Sequence, residues 1–157
     1  MPENKPVAAK LLEARGVPHR LVRFDPAVRS AEGVAAAAGV DPGRVFKTLV
    51  VVEEPPRGRP FLVMVRGSAE LDLRRLAAQL GAKRLKMAAP AEAERLTGLK
   101  LGGISALALL GRGFRVLLDA AAMAHDTVLV SAGERGADIE LRPGDLAAVT
   151  GARIVDV

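Results

Sequence analysis

The chain of 157 residues contains no cysteine, tryptophan or tyrosine, and it has four phenylalanines. Without cysteine it can form no disulfide and offers neither a thiolate metal ligand nor a cysteine nucleophile. With so few aromatic rings, it also lacks the platform on which single-strand nucleic-acid binders stack successive bases. Any nucleic acid is therefore expected to be held mainly through its phosphates.

Long apolar segments are absent as well. No run approaches the roughly 18 uncharged apolar residues that a membrane span requires. The opening M-P-E-N-K-P lacks the apolar centre of a signal peptide. We therefore expect a soluble, cytoplasmic protein with no membrane partner, folded as one domain over residues 1–157.

Basic residues exceed acidic ones, which gives a formal net charge of +5 and a pI near 10.2. Such a surplus favours a polyanionic partner, since Lys and Arg supply the sequence-independent part of nucleic-acid affinity. A GC-rich genome would produce the same abundance of Arg, Ala and Gly. Composition leaves both explanations open.

The apolar pattern predicts a mixture of helices and strands. Apolar residues at helical spacing predict helices over 5–15, 30–39, 71–80 and 91–96 and from residue 145 onward. Runs rich in β-branched residues predict strands over 19–24, 45–52, 61–65, 115–118, 127–131 and 139–141. The turn sequence P-P-R-G at 55–58 joins two of them into an antiparallel hairpin. Because helices and hairpins do not alternate regularly, we expect an α+β fold with a mixed sheet.

Several kinds of active site have no support in the sequence. His19 and His125 are the only histidines, and they lack the spacing and the neighbouring acids of a zinc site. None of the serines 68, 105 and 131 stands in the G-x-S-x-G turn that exposes a hydrolase nucleophile. There is no phosphate-binding G-x-x-x-x-G-K-[ST] loop. We expect no metal and no cofactor.

Lys47 lies within the most strongly predicted strand, between V-F and L-V pairs. Burying an ammonium without a partner is costly, so its position needs a reason. One hypothesis is a lysine on an edge strand that prevents pairing between sheets. The other is a cation at the floor of a ligand pocket.

Two loops of small residues could also approach a ligand. Gly102, Gly103, Ile104 and Ser105 form the first, in which paired glycines allow backbone N–H groups to point at an anion. The second follows an apolar strand and contains Ser131, Ala132, Gly133, Arg135, Gly136 and Asp138. Each could equally be an ordinary turn.

Taken in order, these segments resemble the YbaK/EbsC family, which is related to the editing domain of bacterial prolyl-tRNA synthetases. The matching blocks are V-F-K-T-L at 45–49, L-D-L at 71–73, A-K at 82–83, E-R-L-T-G at 94–98, G-G-I-S at 102–105, V-S-A-G at 130–133, R-G at 135–136 and D-I-E-L at 138–141. The resemblance implies a mostly antiparallel, barrel-like sheet flanked by helices. It also implies deacylation in trans of mischarged tRNA, with Cys- or Ala-tRNA(Pro) as the leading substrate and prolyl-tRNA synthetase as a further candidate partner.

The resemblance also assigns roles to residues. Lys47 and the loop of Gly102, Gly103, Ile104 and Ser105 become the catalytic group, in which the loop amides stabilise an oxyanion. Substrate-binding roles fall to Phe46, Thr48, Arg66, Ser131, Ala132, Gly133, Arg135, Gly136 and Asp138. The ester is already activated, so positioning can drive hydrolysis without a covalent enzyme intermediate. Water, the substrate thiol or the ribose hydroxyl would attack.

Two departures from the family pattern affect the expected substrate. Ala106 stands where the family usually has a proline after G-G-I-S, and residues 66–70 lack the more typical apolar, proline-containing stretch. A reshaped pocket could accept another small amino acid. Two other functions stay open. One is a non-catalytic module that binds aminoacyl-tRNA or a synthetase, and the other is a hydrolase of small aminoacyl esters or aminoacyl nucleotides.

Overall fold

A computed structural model describes residues 4–157, and the first three residues of the segment that lacks a signal-peptide pattern lie outside them. The helices are α1 (Val7–Ala14), α2 (Ala31–Ala38), α3 (Leu73–Leu80), α4 (Pro90–Thr97) and α5 (Pro143–Thr150). The strands are β1 (Arg20–Arg23), β2 (Phe46–Glu53), β3 (Phe61–Arg66), β4 (Leu85–Met87), β5 (Arg115–Asp119), β6 (Val128–Ser131), β7 (Ala137–Leu141) and β8 (Arg153–Val155). Short 3-10 helices cover Pro42–Arg44 and Ala120–Ala124.

The strands form two sheets. One has five strands in the order β4-β2-β3-β5-β8, and the other has three in the order β1-β7-β6. Strands β2 and β3 pair antiparallel from Phe46 opposite Arg66 to Val51 opposite Phe61, which confirms the predicted hairpin. The β3–β5 and β5–β8 pairs are parallel, and the other pairs are antiparallel. The α+β class with a mixed, mostly antiparallel sheet is therefore confirmed.

The expectation of a barrel-like sheet is wrong. Within residues 4–157 the two sheets are joined by a single isolated parallel bridge between Val45 and Leu129. Strand β4 pairs with β2 only along Val51–Glu53, so the first half of β2 has a neighbouring strand on one side. The first half of β2 therefore has an unpaired edge, and the sheets do not close into a barrel.

Strands β4 and β8 were not predicted from the sequence. Each contains three residues and lies at an edge of the five-stranded sheet. Three residues are too few to display the alternation of apolar and polar side chains that identifies a strand. Strands β4 and β8 are defined instead by their pairing with β2 and β5, which lie far from them in the sequence.

Helix α2 begins and ends as the sequence predicts. The hydroxyl of Ser30 accepts a hydrogen bond of 3.0 Å from the Gly33 amide, and Gly39 ends the helix in the left-handed conformation with φ +74°. Its apolar face packs against the three-stranded sheet in a cluster formed by Val22, Val34, Ala35, Ala38, Val45 and Leu129. This packing holds the start of α2 over the gap between the sheets.

Candidate active site

A cavity of about 260 Å³ lies between the two sheets, at the unpaired edge of β2. Its walls come from the first half of β2, the ends of β1 and β6, the middle of β7, the start of α2 and the loop after Lys100. The residues that border it are Phe24, Val28, Arg29, Ala31, Val34, Val45, Phe46, Lys47, Thr48, Leu49, Gly67, Leu101, Gly102, Ile104, Ser131 and Asp138. The volume is below the roughly 300–1,000 Å³ typical of sites for drug-sized ligands, so it suits a small group.

Strand register brings Asp138 and Ser131 to the same wall. Asp138 of β7 is opposite Val22 of β1 on one side and Ser131 of β6 on the other. Directly opposed residues of antiparallel strands share a sheet face, and Val22 belongs to the cluster beneath α2. The three side chains therefore share the sheet face toward α2, and Ser131 and Asp138 border the cavity.

Lys47 borders the cavity from the unpaired edge of β2. It is half-buried, and its ammonium has no hydrogen-bond acceptor or ion-pair partner among residues 4–157. Thr48 also borders the cavity, although successive side chains of a strand leave opposite faces. The cavity therefore meets β2 at its edge, where strand β4 does not cover it.

The two glycine loops pack directly against each other. A Cβ added at Gly103 would lie 3.0 Å from the Cα and carbonyl carbon of Glu134 and 3.1 Å from the amide nitrogen of Arg135. The Arg135 guanidinium donates a 2.7 Å hydrogen bond from Nε to the carbonyl of Leu101. Gly103 is thus required for close approach, and the resulting contact places the first loop beside β6.

Some amides in the first loop remain available to a ligand. The Gly103 amide is already used, since it donates a 2.8 Å hydrogen bond to the carbonyl of Lys100. Across residues 4–157 we find no acceptor for the amides of Gly102, Ile104 and Ser105. Gly102 and Ile104 border the cavity, so their N–H groups are the ones that a bound oxyanion could engage.

Two polar side chains at the cavity lack partners. Among residues 4–157, Thr48 Oγ1 is buried and has no hydrogen-bond partner. Asp138 is 7% exposed and forms no hydrogen bond or ion pair within the described part of the chain. Burial raises the pKa of Asp138 from its usual value of 3.8 to about 7. Polar groups buried without partners are costly, so these two side chains at one cavity favour a ligand that supplies partners for them.

The structure gathers about half of the sequence-predicted site residues at the cavity. Phe46, Lys47, Thr48, Gly102, Ile104, Ser131 and Asp138 border it. The hydroxyl of Ser131 accepts a 3.2 Å hydrogen bond from the Gly133 amide. No histidine or carboxylate within residues 4–157 is hydrogen-bonded to this hydroxyl, so it is not arranged as an activated nucleophile.

The remaining predicted residues do not border this cavity. Ser105 is fully buried, and its Oγ accepts a 3.1 Å hydrogen bond from the Ala108 amide. Ala132 and Gly133 border a second cavity of about 290 Å³ on the other side of their loop. Arg66 is exposed at the end of β3, next to Gly67. These positions support or surround the cavity instead of contacting its contents.

Gly136 and Arg135 have structural roles in the second loop. Gly136 has φ +81°, and a Cβ there would lie 2.7 Å from the carbonyl oxygen of Phe24. Only glycine allows β7 to begin so close to the end of β1. Arg135 fixes the first loop through the carbonyl of Leu101.

Sequence reasoning missed nine of the residues that border the cavity, and three of them show why. Arg29 borders the cavity just before α2, and its guanidinium has no hydrogen bond or ion pair among the residues that the structure describes. Gly67 lies so close to α2 that a Cβ would stand 2.9 Å from the Cβ of Ala31. Phe24 forms part of the apolar wall. Their proximity depends on long-range packing, for which the local sequence gives no signal.

Neither histidine borders the cavity. His125 contacts the ring of Phe46 edge-on, with 6.4 Å between ring centroids, and His19 Nδ1 lies 2.8 Å from the carbonyl oxygen of Val17. No group of three or more His, Asp or Glu side chains within residues 4–157 is arranged to hold a metal ion. In the same part of the chain, none of the helices has the length and apolarity needed to cross a membrane.

Comparison with known proteins identifies the family. Residues 25–149 match the model of the aminoacyl-tRNA editing domain. EbsC of Enterococcus faecalis, described as a candidate Cys-tRNA(Pro)/Cys-tRNA(Cys) deacylase, is 32% identical over 157 residues, which covers 99% of this chain and 94% of EbsC. The protein belongs to the aminoacyl-tRNA editing domain family.

Two further relatives extend the comparison. The proline–tRNA ligase of Nitratidesulfovibrio vulgaris (strain DP4) is 34% identical over 110 residues, which cover 70% of this chain and 17% of that ligase. A crystal structure described as a candidate trans-editing enzyme for prolyl-tRNA synthetase superposes with a TM-score of 0.81 at 29% identity, covering 98% of both chains. The fold therefore matches YbaK-like editing domains along almost its whole length.

Proposed function

We propose that this protein hydrolyses the ester bond of mischarged aminoacyl-tRNA in trans, with Cys- or Ala-tRNA(Pro) as the leading substrates. The observation that carries the proposal is one small cavity bordered both by Lys47, whose ammonium has no partner among residues 4–157, and by Gly102 and Ile104, whose amides have no acceptor in the same part of the chain. An ester carbonyl placed between them would meet donors on the side where negative charge develops. Family membership makes an aminoacyl ester the expected ligand.

The cavity offers positioning and electrostatic stabilisation rather than a nucleophile. The amides of Gly102 and Ile104 would stabilise the tetrahedral oxyanion, and an aligned donor of this kind contributes about 3–4 kcal/mol to transition-state binding. Lys47 would hold the terminal adenosine or its phosphate as a compact cation. In the hydrolytic step, a water oxygen bonds to the ester carbon and the bond from that carbon to the ribose oxygen breaks. The proton lost by water passes to the ribose oxygen, which leaves as a hydroxyl.

Size and wall chemistry favour a small amino acid. Phe24, Val34, Phe46 and Ile104 supply apolar surface, and 260 Å³ leaves little room beyond a short side chain. The relatives named for Cys-tRNA(Pro) and for prolyl-tRNA synthetase point to tRNA(Pro) as the carrier and to the synthetase as a partner. The basic surplus of the chain suits a polyanionic substrate.

A deacylation panel tests this function. Proline tRNA charged with Cys, Ala or Pro is incubated with the purified protein, and release of the amino acid is followed against spontaneous hydrolysis. We expect release of Cys or Ala to be accelerated at least about a hundredfold, and Pro to be released more slowly. Binding of charged tRNA without turnover would instead identify a non-catalytic module. Equal turnover of free aminoacyl esters would identify a small-ester hydrolase.

A further inference from the structure

Asp138 and Glu140 lie two residues apart on the same face of β7, and their surroundings differ completely. Glu140 accepts 2.7 Å hydrogen bonds from Arg20 Nε and from the Thr127 hydroxyl. These contacts, together with the charge of Arg44, hold its pKa below the usual value against the opposing effect of burial. The fold therefore supplies partners for one carboxylate of this strand.

Asp138 receives no such partner. Arg29 and Lys47 are the cations at the same cavity, and neither forms an ion pair within 4 Å of the Asp138 carboxylate in the described part of the chain. The neighbouring Ser131 hydroxyl accepts a hydrogen bond from the Gly133 amide. Asp138 as a residue is 7% exposed and has no partner within residues 4–157, so its carboxyl at the cavity wall can accept from a donor on the ligand.

We propose that Asp138 receives the α-ammonium group of the aminoacyl ester, and that the protein therefore selects esters whose α-amine is free. This inference rests on the function proposed above. Every aminoacyl ester carries its amine one carbon from the reacting carbonyl, so the same small cavity can hold both groups. The amides of Gly102 and Ile104 form another wall of that cavity. Anchoring the amine would turn the carbonyl toward these donors.

The charge state of Asp138 is consistent with this role. With a pKa near 7, the Asp138 carboxyl is partly protonated at neutral pH, and an incoming ammonium would favour its ionised form. An N-acylated aminoacyl ester has no cation to offer. Such an ester would leave the carboxylate buried beside an apolar acyl group, which is unfavourable. The protein should thus spare esters whose amine is blocked.

Binding of matched adenosine analogues tests the assignment without depending on turnover. The probes are 3′-alanylamino-adenosine and 3′-propionylamino-adenosine, which contain stable amide links and differ by the α-amine alone. Dissociation constants are measured by calorimetry for the unaltered protein, Asp138→Asn and Glu140→Gln. Glu140→Gln is the control, because Glu140 lies on the same face of β7 as Asp138 but already has hydrogen-bond partners. Thermal unfolding verifies that each variant is folded.

We expect the unaltered protein to bind the alanyl analogue at least about tenfold more tightly than the propionyl analogue, as for a charge-assisted hydrogen bond. Asp138→Asn should reduce this preference to within about twofold, and Glu140→Gln should keep it. Equal affinity of the unaltered protein for both probes, binding of neither probe, or a preference that survives in Asp138→Asn would overturn the proposal.

Turnover separates recognition of the amine from general-base catalysis. In single-turnover assays with Ala-tRNA and N-acetyl-Ala-tRNA, the unaltered protein should favour Ala-tRNA, and Asp138→Asn should lose most of that preference. Asp138→Asn could instead slow the hydrolysis of both substrates equally, while the unaltered protein binds the two analogues with equal affinity. In that case Asp138 is a general base and our assignment is wrong. If the analogues bind as expected but no tRNA is deacylated, the proposed function fails and the amine site stands.

Discussion

Gly103 lies against the backbone of Glu134, with 3.0 Å between the position of an added Cβ and the Glu134 Cα. The φ of Gly103 is not positive, so lack of space, and not backbone conformation, excludes a side chain there. Gly144 provides a matched control because a Cβ there meets no atom within 4 Å.

Gly103→Ala should separate the two loops and displace the amides of Gly102 and Ile104. We expect a loss of about 1–3 kcal/mol in the free energy of unfolding, as for other overpacked positions, together with loss of most deacylation. Gly144→Ala, in the first turn of α5, should raise stability by up to about 1 kcal/mol. Urea unfolding of both variants checks this. Equal stability of the two would show that the loops can move apart at no cost.

Lys47→Ala should separate activity from stability. The ammonium is half-buried without a partner among residues 4–157, so its removal should change the free energy of unfolding by no more than about 0.5 kcal/mol. Deacylation should fall at least about a hundredfold, as when an electrostatic donor is lost. Lys47→Arg should restore little, since a planar guanidinium cannot replace a compact ammonium.

Lys86→Ala is the control for Lys47, because Lys86 is an exposed lysine on the edge strand β4. It should leave single-turnover deacylation unchanged. Normal activity of Lys47→Ala, or a loss explained by unfolding, would support the edge-strand role of Lys47 and refute our site.

The two carboxyls of β7 should give the protein opposite responses to pH. The pKa of Asp138 is higher in the folded protein than in the unfolded chain, so the folded state retains a proton between about pH 4 and pH 7. In this window the free energy of unfolding falls as pH rises, by at most about 1.4 kcal/mol per pH unit. Asp138→Asn should remove this dependence. The melting temperature of the variant minus that of the unaltered protein at the same pH should therefore increase from pH 4 to pH 7.

The carboxyl of Glu140 should give the opposite dependence of the free energy of unfolding on pH. Its pKa is lower in the folded protein, so its contribution to stability is present above about pH 4.5 and is lost as pH falls through the folded-state pKa. Glu140→Gln should therefore destabilise the protein at neutral pH, and the difference should shrink in acid. Melting curves of both variants from pH 3 to pH 8 provide the measurement. Parallel curves for the two variants would contradict the structure.

Ala106→Pro should restore the family pattern without loss of stability. The Ser105 hydroxyl accepts from the Ala108 amide as a helix cap does, which makes Ala106 the first residue of the turn, a position suited to proline. The Ala106 amide donates no hydrogen bond within residues 4–157. We expect stability to stay equal or to rise by up to about 1 kcal/mol. Ala108→Pro, which removes the amide bonded to Ser105, should be clearly less stable in the same thermal assay.

Affinity for charged tRNA should decrease steeply with salt. The chain has few aromatic rings and a surplus of basic residues, so phosphate contacts should dominate binding. Between about 50 and 200 mM salt we expect a loss of roughly tenfold or more, measured by filter binding. The alanyl-adenosine analogue, which has no phosphate, should bind almost independently of salt. A flat response for tRNA would argue against phosphate-dominated binding.

Local patterns predicted those parts of the fold that depend on neighbours in sequence. The hairpin of β2 and β3 and the Ser30 cap are of this kind. The three-residue strands and the open arrangement of the sheets depend on pairing between distant segments, which the sequence does not display. In the site, local patterns singled out Lys47 and the glycine loops as candidates, and the family resemblance assigned them their roles. The roles of Arg29 and Gly67 emerge only when α2 packs over the gap.

The residues that border the cavity range from Phe24 to Asp138 and belong to both sheets, to α2 and to the loops beside them. No short stretch of the chain contains its walls, since the donor amides and the carboxyl belong to segments more than thirty residues apart. Such a site cannot be transplanted into another protein by exchanging one loop, and a deletion that removes either sheet would dismantle it. Evolution can therefore relocate this chemistry only by moving the whole folded unit, either as a free chain or as an insert in a longer one.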